Sequence, residues 1–118
     1  MLVEALDVLN IRHTTRYSPD GRVRIDLRFR IDRRSHEVVY FSINVGLMDG
    51  DEVVEVYRVD TAHGHLHEQR FWLSPLPIPL SEGRFSGLTQ AFAYYRRLVN
   101  ESYSRWVVLF ELKQASTQ

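Results

Sequence analysis

Apolar and charged residues alternate without a break over residues 22–32, and this alternation is the clearest structural signal in the chain. The apolar residues occupy the odd positions: Val23, Ile25, Leu27, Phe29 and Ile31. Every even position is charged. Because successive side chains of a strand point to opposite faces, this stretch predicts one strand with a buried face and a solvated face.

Three further strands are predicted at residues 37–47, 52–60 and 65–72. Asp49-Gly50 is a favoured two-residue turn between the second and the third of the four strands. Since short connections join neighbouring antiparallel strands, the four strands predict an antiparallel meander with one face left to be covered.

The turn at Asp49-Gly50 also predicts a register. A two-residue turn pairs odd residues of the second strand with even residues of the third. The apolar face of the third strand then carries four even-numbered residues: Val54, Val56, Arg58 and Asp60. A turn of odd length would instead expose Arg58 and Asp60. The first two strands both carry apolar residues at odd positions, so the loop at residues 33–37 must be odd in length or contain a bulge.

A stripe of large apolar and aromatic side chains predicts a long C-terminal helix. Its members recur every three or four residues: Leu88, Phe92, Tyr95, Val99, Tyr103, Trp106 and Phe110. That spacing lines one face of a helix, and Ser86 is a suitable N-cap before it. Asn100 and Ser102 are positions at which the helix could divide in two. We expect the helix to cover the apolar face of the sheet, which predicts an α+β fold.

Two shorter segments complete the predicted arrangement. Residues 1–11 carry apolar side chains at helical spacing and predict a short N-terminal helix. Residues 73–83 contain alternating prolines, Pro75, Pro77 and Pro79, which predict an extended connector that ends the sheet.

Composition is that of an ordinary globular protein, and the 118 residues are predicted to form one domain, 1–118. Basic and acidic residues number 15 each, so no overall charge favours nucleic acid or a membrane surface. Cysteine is absent, which excludes disulfides, thiolate metal sites and cysteine nucleophiles. The N-terminus does not resemble a signal peptide and no apolar run is long enough to span a bilayer, so we expect no membrane partner and a cytoplasmic location.

A cluster of histidines after an aspartate is the main candidate site, and its candidate catalytic residues are Asp60, His63, His65 and His67. If His63-Gly64 forms a two-residue turn, Asp60 lies directly opposite His67 in the next strand. Such a pair can fix the imidazole tautomer and raise its basicity, which general acid-base catalysis exploits. The alternative is a hairpin tip with solvated histidines and an ordinary cross-strand ion pair.

Arginine side chains supply the candidate substrate contacts, Arg24, Arg28 and Arg58. Arginines and tyrosines on neighbouring strands have the composition of a platform for single-stranded nucleic acid: Arg24, Arg28, Arg30, Tyr40 and Tyr57. The alternative is that these charges keep an exposed strand soluble and discourage edge pairing. In the register that pairs Asp60 with His67, Arg58 lies opposite Gln69.

Metal binding is a weaker interpretation of the histidine cluster. Two or three histidines with a carboxylate suit zinc or nickel. His13 and His36 are isolated, however, and the helical His-Glu-x-x-His motif is absent, so nothing clearly completes a four-ligand set. We therefore predict neither a resident metal nor a cofactor.

The segment from Tyr57 to His63, followed by His65-Leu66-His67, resembles the aspartate-x-alanine-histidine segment of the small TumE-like toxin family. In that family a short antiparallel sheet precedes a similar histidine-rich segment and a C-terminal helix. Here the histidines follow after a single glycine, where the family pattern has a longer insert that contains proline. A neighbouring family with the same hairpin is therefore the alternative. The resemblance implies a toxin of a two-gene toxin-antitoxin pair, neutralised by a partner protein.

The leading hypothesis is a toxin-like protein that acts on RNA without a metal. In it the histidines supply acid-base groups, Asp60 orients one of them and Arg58 contacts phosphate. The main rival is a non-enzymatic protein-binding or antitoxin-type module that holds a partner through a sheet edge and the aromatic helix. A metal-binding domain is the third interpretation. Exposed strand edges also predict a homodimer.

Overall fold

The computed structural model of the chain describes residues 11–61, 65–80 and 82–117. Within these residues, six strands form one antiparallel sheet in the order in which they occur along the chain. Their bounds are β1 Ile11–Tyr17, β2 Val23–Ile31, β3 Val38–Asp49, β4 Glu52–Asp60, β5 His67–Arg70 and β6 Ile78–Pro79. A 3-10 turn at Glu82–Arg84 leads to helix α1, Leu88–Ser116.

The predicted α+β class, with an antiparallel meander and a long C-terminal helix, is confirmed, but the described sheet has six strands rather than four. The additional strands β1 and β6 lie at the two edges. All seven residues of β1 are exposed, so its sequence has no alternation of apolar residues from which the strand could be predicted. β6 contains Pro79, which an edge strand tolerates. Residues 1–10 of the predicted N-terminal helix lie outside the described residues, and Ile11 belongs to β1.

Helix α1 packs across β3 and β4 and buries the apolar face of the sheet. The Phe92 ring lies 5.0 Å from that of Phe29 and 5.2 Å from that of Phe41, centroid to centroid. Trp106 stacks on Tyr57 with centroids 4.0 Å apart. Each such aromatic pair contributes about 0.5–1.5 kcal/mol beyond the area it buries. These rings form an aromatic layer between helix and sheet, within a core that also contains aliphatic side chains.

The helix is continuous over its 29 residues, so Asn100 and Ser102 do not divide it. Its N-cap is Gly87, one residue after the predicted Ser86. The Ser86 N–H nevertheless donates to Gln90 Oε1 at 2.7 Å, which satisfies a donor just before the first turn. Among residues 11–61, 65–80 and 82–117, no helix is long and apolar enough to cross a membrane.

Side-chain contacts attach both ends of α1 to the sheet. Near its start, the Val38 N–H donates to Thr89 Oγ1 at 2.9 Å. Near its end, Arg22 Nη2 donates to Glu111 Oε2 at 2.8 Å. The helix is thereby held over one face of the sheet, and the described residues place no second helix on the other.

Strands β2 and β3 pair with their apolar residues directly opposite one another, as Ile25 with Val45. The register shifts between Arg30 and Ile31, where Val39 is an extra residue of β3. A bulge was one of the two predicted alternatives, but it lies within β3 rather than in the loop at residues 33–37. It lets both apolar faces coincide although the strands share the same odd numbering.

The β3–β4 turn lies one residue later than predicted. Asp49 pairs with Glu52, so the central residues are Gly50 and Asp51. Gly50 adopts a φ of 64°, a conformation that glycine takes without steric cost. Near the turn, odd residues of β3 face even residues of β4, as predicted.

A bulge in β4 then changes this pairing, so that farther from the turn odd residues of β3 face odd residues of β4. The register shifts between Val45 and Gly46, where Val56 is the extra residue of β4. Beyond the bulge, the odd-numbered residues of β4 face the helix and the even-numbered ones face away. The prediction that Arg58 and Asp60 share the apolar face is therefore wrong, because both lie on the opposite face.

Candidate nucleic-acid interface

The face of the sheet opposite α1 carries polar and charged side chains, and we call it the open face. One row of cross-strand neighbours crosses all six strands: His13, Arg28, Ser42, Asp60, His67 and Pro79. Neighbouring strands lie about 4.8 Å apart, so Arg28 and His67 are separated by about 14 Å along this row. The register thus brings predicted site residues from three strands onto one surface.

A concavity of about 350 Å³ lies in the open face. Its lining is mainly polar and comes from β2, β3 and β4, including Arg24, Arg28, Tyr40, Ser42, Asn44 and Arg58. A second concavity of about 360 Å³ shares Arg28 and Tyr40 with the first and adds His13 and Arg30. The two form neighbouring depressions with arginine and tyrosine between them.

The three predicted substrate arginines all line the first concavity, but they differ in their partners. Arg24 Nε lies 3.0 Å from Asp26 Oδ2, and Arg58 Nε lies 3.4 Å from Asp60 Oδ2. Arg28 is exposed and makes no hydrogen bond or ion pair with the described residues. Of the three, Arg28 is therefore the guanidinium most available to an incoming phosphate.

Two further groups of the open face have unused bonding capacity. The Arg30 guanidinium lies 5.8 Å from the centre of the Tyr40 ring, and its buried Nε has no hydrogen-bond partner among the described residues. Asn44 Nδ2 donates to Ser42 Oγ at 3.0 Å, whereas the buried Asn44 Oδ1 accepts no hydrogen bond within the described chain. A cationic donor and an amide acceptor thus flank the concavities.

A hydrogen-bonded group joins β1 to β2 on the open face. His13 Nε2 lies 3.1 Å from Asp26 Oδ1, and the Thr15 hydroxyl donates to the same oxygen. Burial opposes ionisation of Asp26, but the hydrogen bonds from Thr15 and His13 and the charge of Arg24 outweigh it, so the pKa of this carboxyl lies below its ordinary value. His13 is therefore part of the surface rather than an isolated residue. Sequence reasoning missed it because β1 has no alternation.

The predicted pairing at the histidine cluster is confirmed for the described residues. Asp60 lies opposite His67, and Arg58 lies opposite Gln69. The rings of His65 and His67 are 6.2 Å apart, edge to face. His63 lies outside the described residues.

Tyr57 is the predicted platform residue that the structure removes from the open face. It is fully buried beneath α1, where its hydroxyl donates to Glu68 Oε2 at 2.6 Å. Two adjacent apolar residues, Val56 and Tyr57, interrupt the alternation of β4. That interruption is the sequence signal that could have revealed the bulge.

A search of the described residues found no group of three or more histidine, cysteine, aspartate or glutamate side chains placed to hold a metal ion. Comparison of the chain with protein-family models, curated proteins and solved structures found no match.

Proposed function

We propose that this protein is a toxin-like ribonuclease that binds single-stranded RNA on the open face and cleaves it beside the histidine cluster. The observation that carries the proposal is the register of β4. The bulge at Val56 turns Arg58 and Asp60 onto the face that also holds Arg28, and Asp60 lies opposite His67. Cationic, aromatic and acid-base side chains therefore share one surface, on which the described residues pack no helix.

RNA binding in this proposal follows the row of side chains across the strands. Arg28 and Arg30 contact phosphates, because neither has a carboxylate partner among the described residues. Tyr40 offers a ring on which a base can stack, a contact worth about 1–3 kcal/mol. The Asn44 carboxamide oxygen can accept a hydrogen bond from a base, such as the N3–H of uracil.

Cleavage in this proposal is an internal transfer at one phosphate. His67, oriented by Asp60, removes the proton of the ribose 2′-hydroxyl, and the 2′-oxygen forms a bond to phosphorus. The bond from phosphorus to the 5′-oxygen breaks, and His65 gives a proton to that oxygen. The products are a 2′,3′-cyclic phosphate and a free 5′-hydroxyl. Arg58 stabilises the charge that develops on the phosphoryl oxygens.

The biological role in this proposal is growth inhibition in the cytoplasm, controlled by an antitoxin protein. The resemblance of the histidine segment to the TumE-like toxins motivates it. A neighbouring reading frame that encodes a small DNA-binding protein, and restores growth when expressed with this chain, would be the genetic counterpart of the proposal.

The test separates binding from cleavage. The purified protein is incubated with an end-labelled oligouridylate, and the products are examined for the cyclic phosphate. His67→Ala should lower the cleavage rate by about 100-fold or more, whereas binding of the oligonucleotide should change little. Growth arrest on expression should disappear with the same substitution.

The matched control is His36→Asn, at an exposed histidine of the β2–β3 loop with a φ of 61° that asparagine also tolerates. It should leave cleavage, binding and growth arrest unchanged. Cleavage that survives in the His65→Ala/His67→Ala double variant would rule out the proposed chemistry.

A non-enzymatic protein-binding module is the second candidate. The observation in its favour is the exposure of apolar residues on the outer side of α1, where Val108 is 54% and Leu112 is 62% exposed. Metal binding, the third candidate, would need His63 as a ligand beside His65 and His67. Titration with zinc, followed through histidine NMR signals, would test it.

A further inference from the structure

Strand β1 forms one edge of the sheet. It pairs with β2 in a regular register, and no described strand lies on its other side. Every residue of β1 is exposed, so no described part of the chain covers either face of the strand. An uncovered edge of this length can accept another strand.

The backbone groups of β1 alternate in direction. The Ser18 N–H donates to the Val23 carbonyl at 2.9 Å, which makes this a hydrogen-bonded position beside β2. Such positions recur at every second residue of an antiparallel ladder. The N–H and C=O groups of His13 and Thr15 therefore point to the free edge, where they can bond to an incoming strand.

A basic groove lies beside this edge, on the side of α1. It measures about 150 Å³ and has an apolar floor that includes Ile25 and Leu27. Its polar lining comes from β1 and the helix: Thr14, Arg16, Arg96 and Asn100. Arg12 shares the face of β1 that carries Arg16, because alternate residues of a strand point the same way. No carboxylate lines the groove in the described part of the chain.

We propose that β1 binds an extended acidic segment of a partner protein, which adds to the sheet as a further strand. Main-chain hydrogen bonds to the free edge supply affinity, and the groove selects side chains at alternate positions. This proposal does not depend on RNA cleavage, because the groove lies on the face opposite the arginines of the open face.

The spacing of Arg12 and Arg16 determines which partner segment fits this edge. Arg12 and Arg16 are four residues apart, about 13 Å along a strand. A partner strand that carries acidic residues four positions apart can place one carboxylate at each guanidinium. The residue midway between them faces Thr14 and the apolar floor. The recognised pattern is therefore acidic, any residue, small apolar, any residue, acidic.

A second copy of the chain fits this edge less well than an acidic partner. Antiparallel self-pairing about Thr14 would set Arg12 of one copy opposite Arg16 of the other, in both halves of the interface. Like charges directly opposite in a ladder are destabilising. Self-pairing of β1 in the register centred on Thr14 is therefore disfavoured.

The test uses a labelled peptide with the sequence threonine-glutamate-threonine-valine-threonine-glutamate-threonine, blocked at both ends. Fluorescence anisotropy should show saturable binding to the full chain. Arg12→Glu/Arg16→Glu should weaken it about tenfold or more. N-methylation of the peptide on its edge-bonding side should weaken it to a similar extent, because the ladder hydrogen bonds are then lost.

Two controls are matched to the test, one in the change of protein charge and the other in peptide composition. Arg105→Glu/Lys113→Glu makes the same change in charge at exposed sites on other sides of α1 and should leave the affinity within about twofold. A peptide of the same composition with adjacent glutamates should bind weakly. Equal binding of the N-methylated peptide, or no binding at about 1 mM, would overturn the proposal. The proposal would also be overturned if Arg12→Glu/Arg16→Glu weakened the binding of oligouridylate and left the binding of the peptide unchanged.

Discussion

At the residue scale, Glu68 is a carboxylate within the aromatic layer beneath α1, where it is only 7% exposed. Tyr57 Oη donates to its Oε2 at 2.6 Å, and Arg70 Nε donates to its Oε1 at 3.0 Å. The Arg70 guanidinium in turn lies 5.7 Å from the centre of the Trp106 ring. A buried charge is tolerable only with such partners, because losing one leaves the other uncompensated.

Removing the Tyr57 hydroxyl should measurably destabilise the protein. Tyr57→Phe deletes a hydrogen bond to a carboxylate and retains the stacking on Trp106, so we expect a loss of about 1.5–3 kcal/mol in the free energy of unfolding. Urea denaturation followed by circular dichroism measures it. Tyr17→Phe, at an exposed tyrosine of β1, is the control and should change stability by less than about 0.5 kcal/mol.

The same tyrosine predicts how stability depends on alkaline pH. Burial, and then the neighbouring Glu68 carboxylate, raise the pKa of Tyr57 well above its ordinary value of 10.0. A raised pKa means that the contribution of the neutral phenol is fully present below pH 10 and is lost as the pH rises above it. Stability should therefore fall by up to about 1.4 kcal/mol per pH unit from this group.

Denaturation midpoints measured on both sides of pH 10 test this dependence. The wild-type protein should lose more stability across that interval than Tyr57→Phe does, whereas Tyr17→Phe should follow the wild type. Parallel curves for wild type and Tyr57→Phe would mean that the phenol ionises as readily in the folded state as in the unfolded chain.

At the scale of elements, the β4 bulge is the feature on which the open face depends. It places Val56 and the residue after it together in the core and turns Arg58 and Asp60 outward. Across the ladder stands Gly46, where an added Cβ would lie 2.2 Å from Val53 Cγ1. An alanine at position 46 therefore fits only if the Val53 side chain moves, and glycine lets the bulged strand approach β3 closely.

A paired substitution tests this close approach. Gly46→Ala should cost about 1–3 kcal/mol of stability through overpacking. Val53→Ala removes the opposing methyl groups, so the double variant should recover most of that loss. Thermal denaturation of the two single variants and the double variant gives the coupling energy. Simple additivity of the two effects would show that the contact does not constrain the strands.

At the scale of the whole molecule, the two faces of the sheet have different roles. The face beneath α1 supplies the packing, and the described residues of the open face supply charges that little else in the fold requires. Substitution of Arg28, which has no hydrogen bond or ion pair with the described residues, should therefore change ligand binding without changing stability.

The salt dependence of the proposed RNA binding tests this difference between the two faces. Each phosphate contact to a single strand contributes about −0.7 to the slope of log K against log salt concentration. Arg28→Ala should make that slope shallower by about 0.7 and leave the unfolding midpoint unchanged. Arg105→Ala, at an exposed arginine of α1, should change neither. A slope that is the same in both variants would remove Arg28 from the interface.

Local patterns account for much of this molecule. Strict alternation predicts β2 because it has one buried and one solvated face, and the apolar stripe predicts α1 because its spacing matches a helical turn. The pairing of Asp60 with His67 also follows from the sequence, since a short turn determines which residues of a hairpin face each other.

Other features depend on residues distant in sequence. β1 has no apolar pattern, since neither of its faces is buried, and only its pairing with β2 makes it a strand. The face on which Asp60 and Arg58 lie was decided by the bulge, which exists because Val56 and Tyr57 can both be buried beneath α1. Sequence alone thus determined strands β2 to β5, the helix and the pairing of Asp60 with His67. The tertiary structure decided that this pair shares a surface with Arg28, because a one-residue shift in a strand moves every later side chain to the other face.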